Sequence, residues 1–140
     1  MASASTSVAA ALTALSGSDF LSSADVSAEQ TAALLQLAIQ LKNGERRIDL
    51  VHRVLGLIFT KASTRTRVSF QVAMALLGGQ TFDLNPQVTQ LGPGEPLENT
   101  ARVHSRFCDV LAIRTFAQQE LADYAHKALT RCPAASVRFT

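Results

Sequence analysis

The chain has 140 residues, of which 47% are hydrophobic and 17% charged, and its formal net charge is +2. That length suits one domain with its own core and is too short for two, and the balance of apolar to charged residues excludes disorder as the default. A small positive charge carried by scattered Lys and Arg excludes a nucleic-acid partner recruited by charge.

The opening stretch up to Phe20 is rich in Ala, Ser and Thr but holds no Lys or Arg. A secretory signal needs a basic start and a transit peptide is Arg-rich, so residues 1–19 read as an untargeted, flexible N-terminus. Nowhere does an uninterrupted apolar run reach the roughly 20 residues that cross a bilayer, so no membrane partner and a cytoplasmic location are expected. Cys108 and Cys132 lie apart and lack His or Cys neighbours at metal-ligand spacing, which suggests neither a metal site nor a disulfide framework.

Ser27 followed by Gln30 has the form of a capping box. Leu34, Leu37, Ala38 and Leu41 then recur on one helical face as far as the Asn43-Gly44 stop. Val54 to Phe59 is short, continuous and apolar, as a strand buried on both faces would be. Between Arg65 and Leu77, Val68, Val72, Ala75 and Leu76 line one side and Phe70, Ala73 and Leu77 another, predicting a helix apolar over most of its circumference and central to the core.

Gly78-Gly79 ends that helix, and Thr81 to Leu84 reads as a second strand, followed by a Pro- and Gly-rich loop from Asn85 to Pro96. A helix from about Leu97 to Phe107, a strand from Val110 to Ile113 and a helix from Ala117 to about Ala128 complete the pattern. Alternation of strand and helix predicts an α/β fold, a parallel sheet with helices on both faces. Ligands then bind beyond the carboxyl ends of the strands, just after Phe59, Leu84 and Ile113.

Directly after the first strand comes Lys61-Ala-Ser-Thr-Arg-Thr-Arg67, opening a helix. A helix start exposes unpaired N–H groups and the positive end of the helix dipole. Hydroxyls of Ser63, Thr64 and Thr66 and the guanidinium forks of Arg65 and Arg67 add donors suited to phosphate oxygens. A plainer reading stays open on these grounds alone, in which Ser63 or Thr64 caps the helix and the arginines form a solvated face. Neither of the familiar Gly-rich phosphate loops occurs.

The string Phe59-Thr-Lys-Ala-Ser-Thr-Arg-Thr-Arg-Val-Ser-Phe70 closely resembles the carbamoyl-phosphate signature of the aspartate and ornithine carbamoyltransferases. The resemblance runs from about Phe20 to about His126, through Leu77-Gly-Gly79, Thr89-Gln-Leu-Gly92, Gly94-Glu-Pro96, Thr100-Ala-Arg-Val103 and Ile113-Arg-Thr-Phe116. It implies a carbamoyl-phosphate-binding domain over 20–126, with Ser63, Thr64, Arg65 and Thr66 holding the phosphate and Thr66 also reaching the carbamoyl oxygen. Arg114 would contact carbamoyl phosphate from the other side, and Gln90 would reach into a neighbouring subunit's site in a homotrimer. Arg65, Thr66 and Arg114 are then the catalytic candidates, with no cofactor or metal implied. Lys61 and Arg114-Thr-Phe116 resemble the ornithine branch, which makes L-ornithine the implied acceptor and citrulline the product. An aspartate-branch fragment and a non-catalytic phosphate-binding or interaction module are the alternatives.

Gln71 and Asn99 depart from the family's usual Glu and Asp, and His52, His104 and His126 read as packing or surface residues. Cys108 reads as a small buried residue. After His126 the resemblance ends, so 127–140 is expected to be a divergent tail lacking the fourth strand, the histidine-bearing loop and the amine-binding domain of the family. The sheet edge it leaves open and the absent second domain predict a truncated chain without turnover of its own.

Overall fold

The computed structural model describes residues 9–61, 63–84, 103–104, 106–127 and 134–136. Helix α1, Ala28–Lys42, begins at the predicted capping box. Ser27 Oγ accepts the Gln30 N–H at 3.1 Å while Gln30 Oε1 accepts the Ser27 N–H at 2.8 Å, so two donors that a helix start leaves open are satisfied reciprocally. Its inward side is Ala33, Leu37 and Leu41; Leu34 and Ala38, expected on that face, are exposed.

Four strands follow, β1 (Val54–Phe59), β2 (Gln80–Leu84), β3 (Val110–Arg114) and the short β4 (Ala134–Ser136), with α2 (Thr64–Leu76) between the first two and α3 (Gln118–Lys127) after the third. They form one sheet in the order β2-β1-β3-β4, with every pairing parallel. Gly56 of β1 lies opposite both Phe82 and Leu111, and Phe59 lies opposite Arg114. The α/β class and the parallel sheet are thus as the sequence predicts.

Each strand of the centre is buried on both sides, because successive side chains point to opposite faces. Ile58, Leu111 and Ile113 pack on one face with Cys108, Leu121 and Tyr124, while Leu55, Leu57, Phe59 and Ala112 pack on the other with Phe70 and Met74 of α2. Fully burying one such side chain contributes about 1.5–3 kcal/mol, so the paired cores supply most of the drive to fold. At the base of the sheet Asp109 closes the seam: its carboxylate accepts the Val54 N–H at 2.9 Å and pairs with Arg53 Nη1 at 2.7 Å.

The end of α2 is fixed by its glycines. Gly78, at φ +81°, takes the left-handed conformation that glycine adopts without steric cost, and the Gly78 and Gly79 N–H groups donate to Ala75 O and Met74 O. That pair of bonds turns the chain straight into β2.

Two expectations are corrected. α2 is not central to the core: none of its residues is fully buried, and Val68, Val72 and Leu76 form an exposed stripe, Leu76 being 80% accessible. Only its Phe70 and Met74 side meets the sheet, because one helix face suffices to cover two strands. Nor is a fourth strand lacking, since β4 pairs with Leu111, Ala112 and Ile113. A parallel edge strand is held by backbone N–H and C=O groups, which the tail supplies whatever its side chains. Most of the helix expected over 97–107 lies outside the described residues, although 103–104 and 106–107 are helical. Among the described residues, no helix is long and apolar enough to cross a membrane.

Candidate anion-binding site

From β1 the chain steps outward to β2, then returns to β3 on the opposite side of β1. The turns that leave β1 and β3 therefore diverge to opposite sides and open a crevice at the carboxyl ends of these two strands, the usual ligand position in open α/β sheets. The N-terminus of α2 and Arg114 both lie there.

The crevice is tied just beyond the strand ends. Thr60 donates both its N–H and its hydroxyl to the Arg114 carbonyl, each at 3.0 Å, filling the two lone pairs of that oxygen. Pairing is thereby carried one residue past β1, and the Lys61 ammonium sits 5.6 Å from the centroid of the Phe116 ring, within cation–π range. Lys61 and Phe116, distant in sequence, are neighbours across the crevice.

At the helix start, Ser63 is not a side-chain cap. Its hydroxyl donates to Thr66 Oγ1 at 2.9 Å, and no backbone N–H donates to it. The Arg67 N–H bonds Ser63 O at 3.1 Å as the helix ladder begins. Among the described residues nothing accepts the Thr64, Arg65 and Thr66 N–H groups, the donors that a helix start leaves outside its own ladder. The Ser63 hydroxyl is thus bonded to Thr66 and not to a backbone N–H of the first turn. The two hydroxyls are instead bonded to each other, and among the described residues Ser63 Oγ has no donor and Thr66 Oγ1 no acceptor.

Arg65 is exposed and Arg114 half-buried, and among the described residues neither has an ion-pair or hydrogen-bond partner for its guanidinium. Ser63, Thr64, Arg65 and Thr66 are brought together on one turn, with Arg114 at the end of the adjacent strand; Gln90 lies outside the described residues. Arg67, expected as a second phosphate fork, is engaged with Asp83 and Phe59 instead. Sequence reading gave no role to Thr60 or Asp83, because nothing local marks a threonine or an aspartate whose partner lies on another strand.

The remaining candidates resolve simply. His104 is buried with its Nδ1 2.7 Å from the Tyr124 hydroxyl, and Cys108 is buried with its Sγ donating to His104 O at 3.0 Å, both as packing residues. His52 and His126 are exposed. A concavity of about 410 Å³ lined by Leu50, Arg53, Val54, Leu55, Met74, Asp109 and Val110 lies at the base of the sheet, at the opposite end from α2's first turn.

A family model described as the carbamoyl-P binding domain of aspartate/ornithine carbamoyltransferase matches residues 18–137. The chain belongs to the aspartate/ornithine carbamoyltransferase family. Its match to the family's binding domain continues past His126 through β4, beyond the point where motif resemblance ends. The chain is 79% identical over 126 residues to an ornithine carbamoyltransferase of Parasynechococcus marenigrum, covering 90% of this chain and 40% of that protein. The crystal structure of ornithine carbamoyltransferase from Gloeobacter violaceus superposes with a TM-score of 0.72 at 53% identity, over 85% of this chain and 37% of that one. Aspartate transcarbamoylase of Trypanosoma cruzi, in complex with carbamoyl phosphate and aspartate, superposes at 0.77 with 26% identity, over 88% and 41% of the two chains. The carbamoyltransferase fold is therefore shared by both branches, whereas sequence likeness favours the ornithine one, and the chain spans about 40% of the length of the relatives it matches.

Proposed function

We propose that this chain provides the carbamoyl-phosphate-binding half of an ornithine carbamoyltransferase, a cytoplasmic enzyme of arginine biosynthesis that acts as a homotrimer. The observation that supports this reading is the N-terminus of α2 at the carboxyl ends of β1 and β3, with the Ser63 and Thr66 hydroxyls bonded to each other and Arg65 without a partner among the described residues. The phosphate of carbamoyl phosphate enters the N–H groups of Thr64 to Thr66, with Ser63 and Thr64 hydroxyls and the Arg65 guanidinium around it. Thr66 Oγ1 donates toward the carbamoyl carbonyl oxygen, and Arg114 approaches from β3. Gln90 reaches across to a neighbouring subunit's site.

In the reaction, the uncharged side-chain amine of ornithine attacks the carbonyl carbon and forms a C–N bond. The tetrahedral intermediate then breaks its C–O bond to phosphate, which leaves with the electron pair, and the amine loses a proton to give citrulline. Donors fixed before the reaction stabilise the developing oxyanion and the departing phosphate without reorganising, which is where such a site gains most of its rate. Ornithine is preferred to aspartate as acceptor on two supports: the 79% identity to an ornithine enzyme against 26% to an aspartate one, and Lys61 and Phe116 meeting at the crevice.

Calorimetric titration of the folded chain with carbamoyl phosphate and with inorganic phosphate tests the reading, with Arg65→Ala as control. Saturable binding that Arg65→Ala weakens by tenfold or more, roughly the 1.5–3 kcal/mol of a hydrogen bond to a charged group, is expected. Equal heats from both proteins would overturn the assignment. The chain spans about 40% of the length of its relatives, and assayed on its own it is expected to show no citrulline formation.

A further inference from the structure

Two arginines stand in the turn that opens α2, and their surroundings differ. Arg65 has no partner among the described residues, whereas Arg67 is engaged twice. Its Nε lies 2.5 Å from Asp83 Oδ2 of β2, and its guanidinium carbon lies 5.3 Å from the centroid of the buried Phe59 ring of β1. The pair is sheltered, with the two side chains 28% and 27% exposed. Nε is buried without an aligned hydrogen bond, so the attraction to Asp83 is one of charge, and the guanidinium over the Phe59 ring adds a cation–π contact.

Three elements meet at this point: the first turn of α2 and the carboxyl ends of β1 and β2. A helix pinned there cannot roll on the sheet without breaking both contacts. Asp83 also brings a carboxylate to the anion end of the sheet, which would repel phosphate if left unpaired. We infer that Arg67 is a positioning residue for the anion site: with Asp83 and Phe59 it fixes the first turn of α2 and cancels the Asp83 charge, without itself touching the anion. The inference rests on the phosphate reading given above for the identity of the ligand, and on the Arg67 contacts for the geometry.

The division of roles follows from what each guanidinium has left to offer. A fork that binds an incoming oxyanion must hold donors in reserve and be able to reach it, as Arg65 does. Arg67 has its charge balanced by Asp83 and lies over the Phe59 ring before any ligand arrives.

The test compares Arg67→Met with the double variant Arg67→Met/Asp83→Leu, in the whole chain, by phosphate titration and by amide hydrogen exchange across α2 in phosphate-free buffer. Arg67→Met strands Asp83 beneath the turn, and about a tenfold loss of phosphate affinity with faster exchange of the Arg65 to Val68 amides is expected. The double variant removes both charges, so the net charge near the site equals that of the native chain, and it replaces the pair with apolar side chains of similar bulk. Affinity within about threefold of the native chain, with exchange protection restored, is the expected result. A double variant that regains protection yet binds phosphate as weakly as Arg67→Met would overturn the inference, since Arg67 would then be contacting the anion directly. Unchanged exchange in Arg67→Met would overturn it as well, because nothing would have been positioned. If the native chain binds no phosphate while the exchange pattern follows expectation, the positioning role stands and the phosphate reading of the site falls.

Discussion

Serine opens both α1 and α2, and the two positions should respond to the same mutation in opposite ways. Ser27 Oγ accepts a backbone N–H and its own N–H is capped by Gln30, so Ser27→Ala removes one bond and loosens its reciprocal partner. A loss of about 1 kcal/mol is expected, the usual cost of deleting a serine N-cap. Ser63 Oγ donates to Thr66 Oγ1 and accepts nothing from the backbone. Ser63→Ala therefore gives up one half-buried hydroxyl pair and no cap, and should cost under about 0.5 kcal/mol, below the ordinary net worth of a hydrogen bond. Its effect belongs to the ligand instead: with one donor–acceptor group gone and Thr66 free to rotate, phosphate affinity should fall about tenfold, while Ser27→Ala leaves it unchanged. Urea unfolding followed by far-ultraviolet circular dichroism reads the first pair of numbers and calorimetric titration the second. Equal stability losses at the two serines would show that Ser63 caps α2 after all, and the case for an open helix start would collapse.

Other positions give independent checks. An alanine Cβ at Gly56 would come within 2.6 Å of Leu111 Cδ2, and Leu111 is fully buried, so Gly56→Ala should destabilise by about 1–3 kcal/mol. Adding Leu111→Val should return part of that loss in the same urea experiment, whereas strictly additive losses would show that the two side chains do not collide. Gly78 has φ +81° and its added Cβ would lie 3.1 Å from Val51 Cγ2; Gly78→Ala should lower the urea midpoint by an amount worth about 1 kcal/mol, and an unchanged midpoint would refute the strained turn. The Asp109 carboxyl is held below its ordinary value of 3.8, chiefly by the Val54 N–H and then by Arg53, against a smaller opposing effect of burial. A carboxyl depressed on folding contributes stability above its unfolded pKa, near 4, that disappears as pH falls through the folded value. Native stability should hence exceed that of Asp109→Asn by a constant margin at neutral pH and by a shrinking one below about pH 4, as acid titration of both proteins in urea would read. A margin independent of pH would refute the ionised seam.

Much of the architecture was legible because it is set by bonds between residues a few positions apart. The Ser27 and Gln30 box, the Gly78 turn and the apolar runs of β1 and β3 each carry their own signal, and alternation of strand and helix then leaves a parallel sheet as the economical packing. Motif resemblance likewise reached the family, because its signature at Phe59 to Phe70 is a contiguous string.

Tertiary structure alone decided the rest. Whether the Ser63 hydroxyl bonds a backbone N–H or the Thr66 hydroxyl depends on a side-chain rotation, and both outcomes have the same spelling. Whether Arg67 is a phosphate fork or an anchor depends on Asp83, which β2 carries to it from the far end of α2. The outer stripe of α2 looked like core because periodicity reports that a face is apolar and not what lies against it. β4 escaped notice for the complementary reason: edge pairing is made by the backbone, which every sequence shares, and the short motif blocks end at His126 although the family match runs on to residue 137.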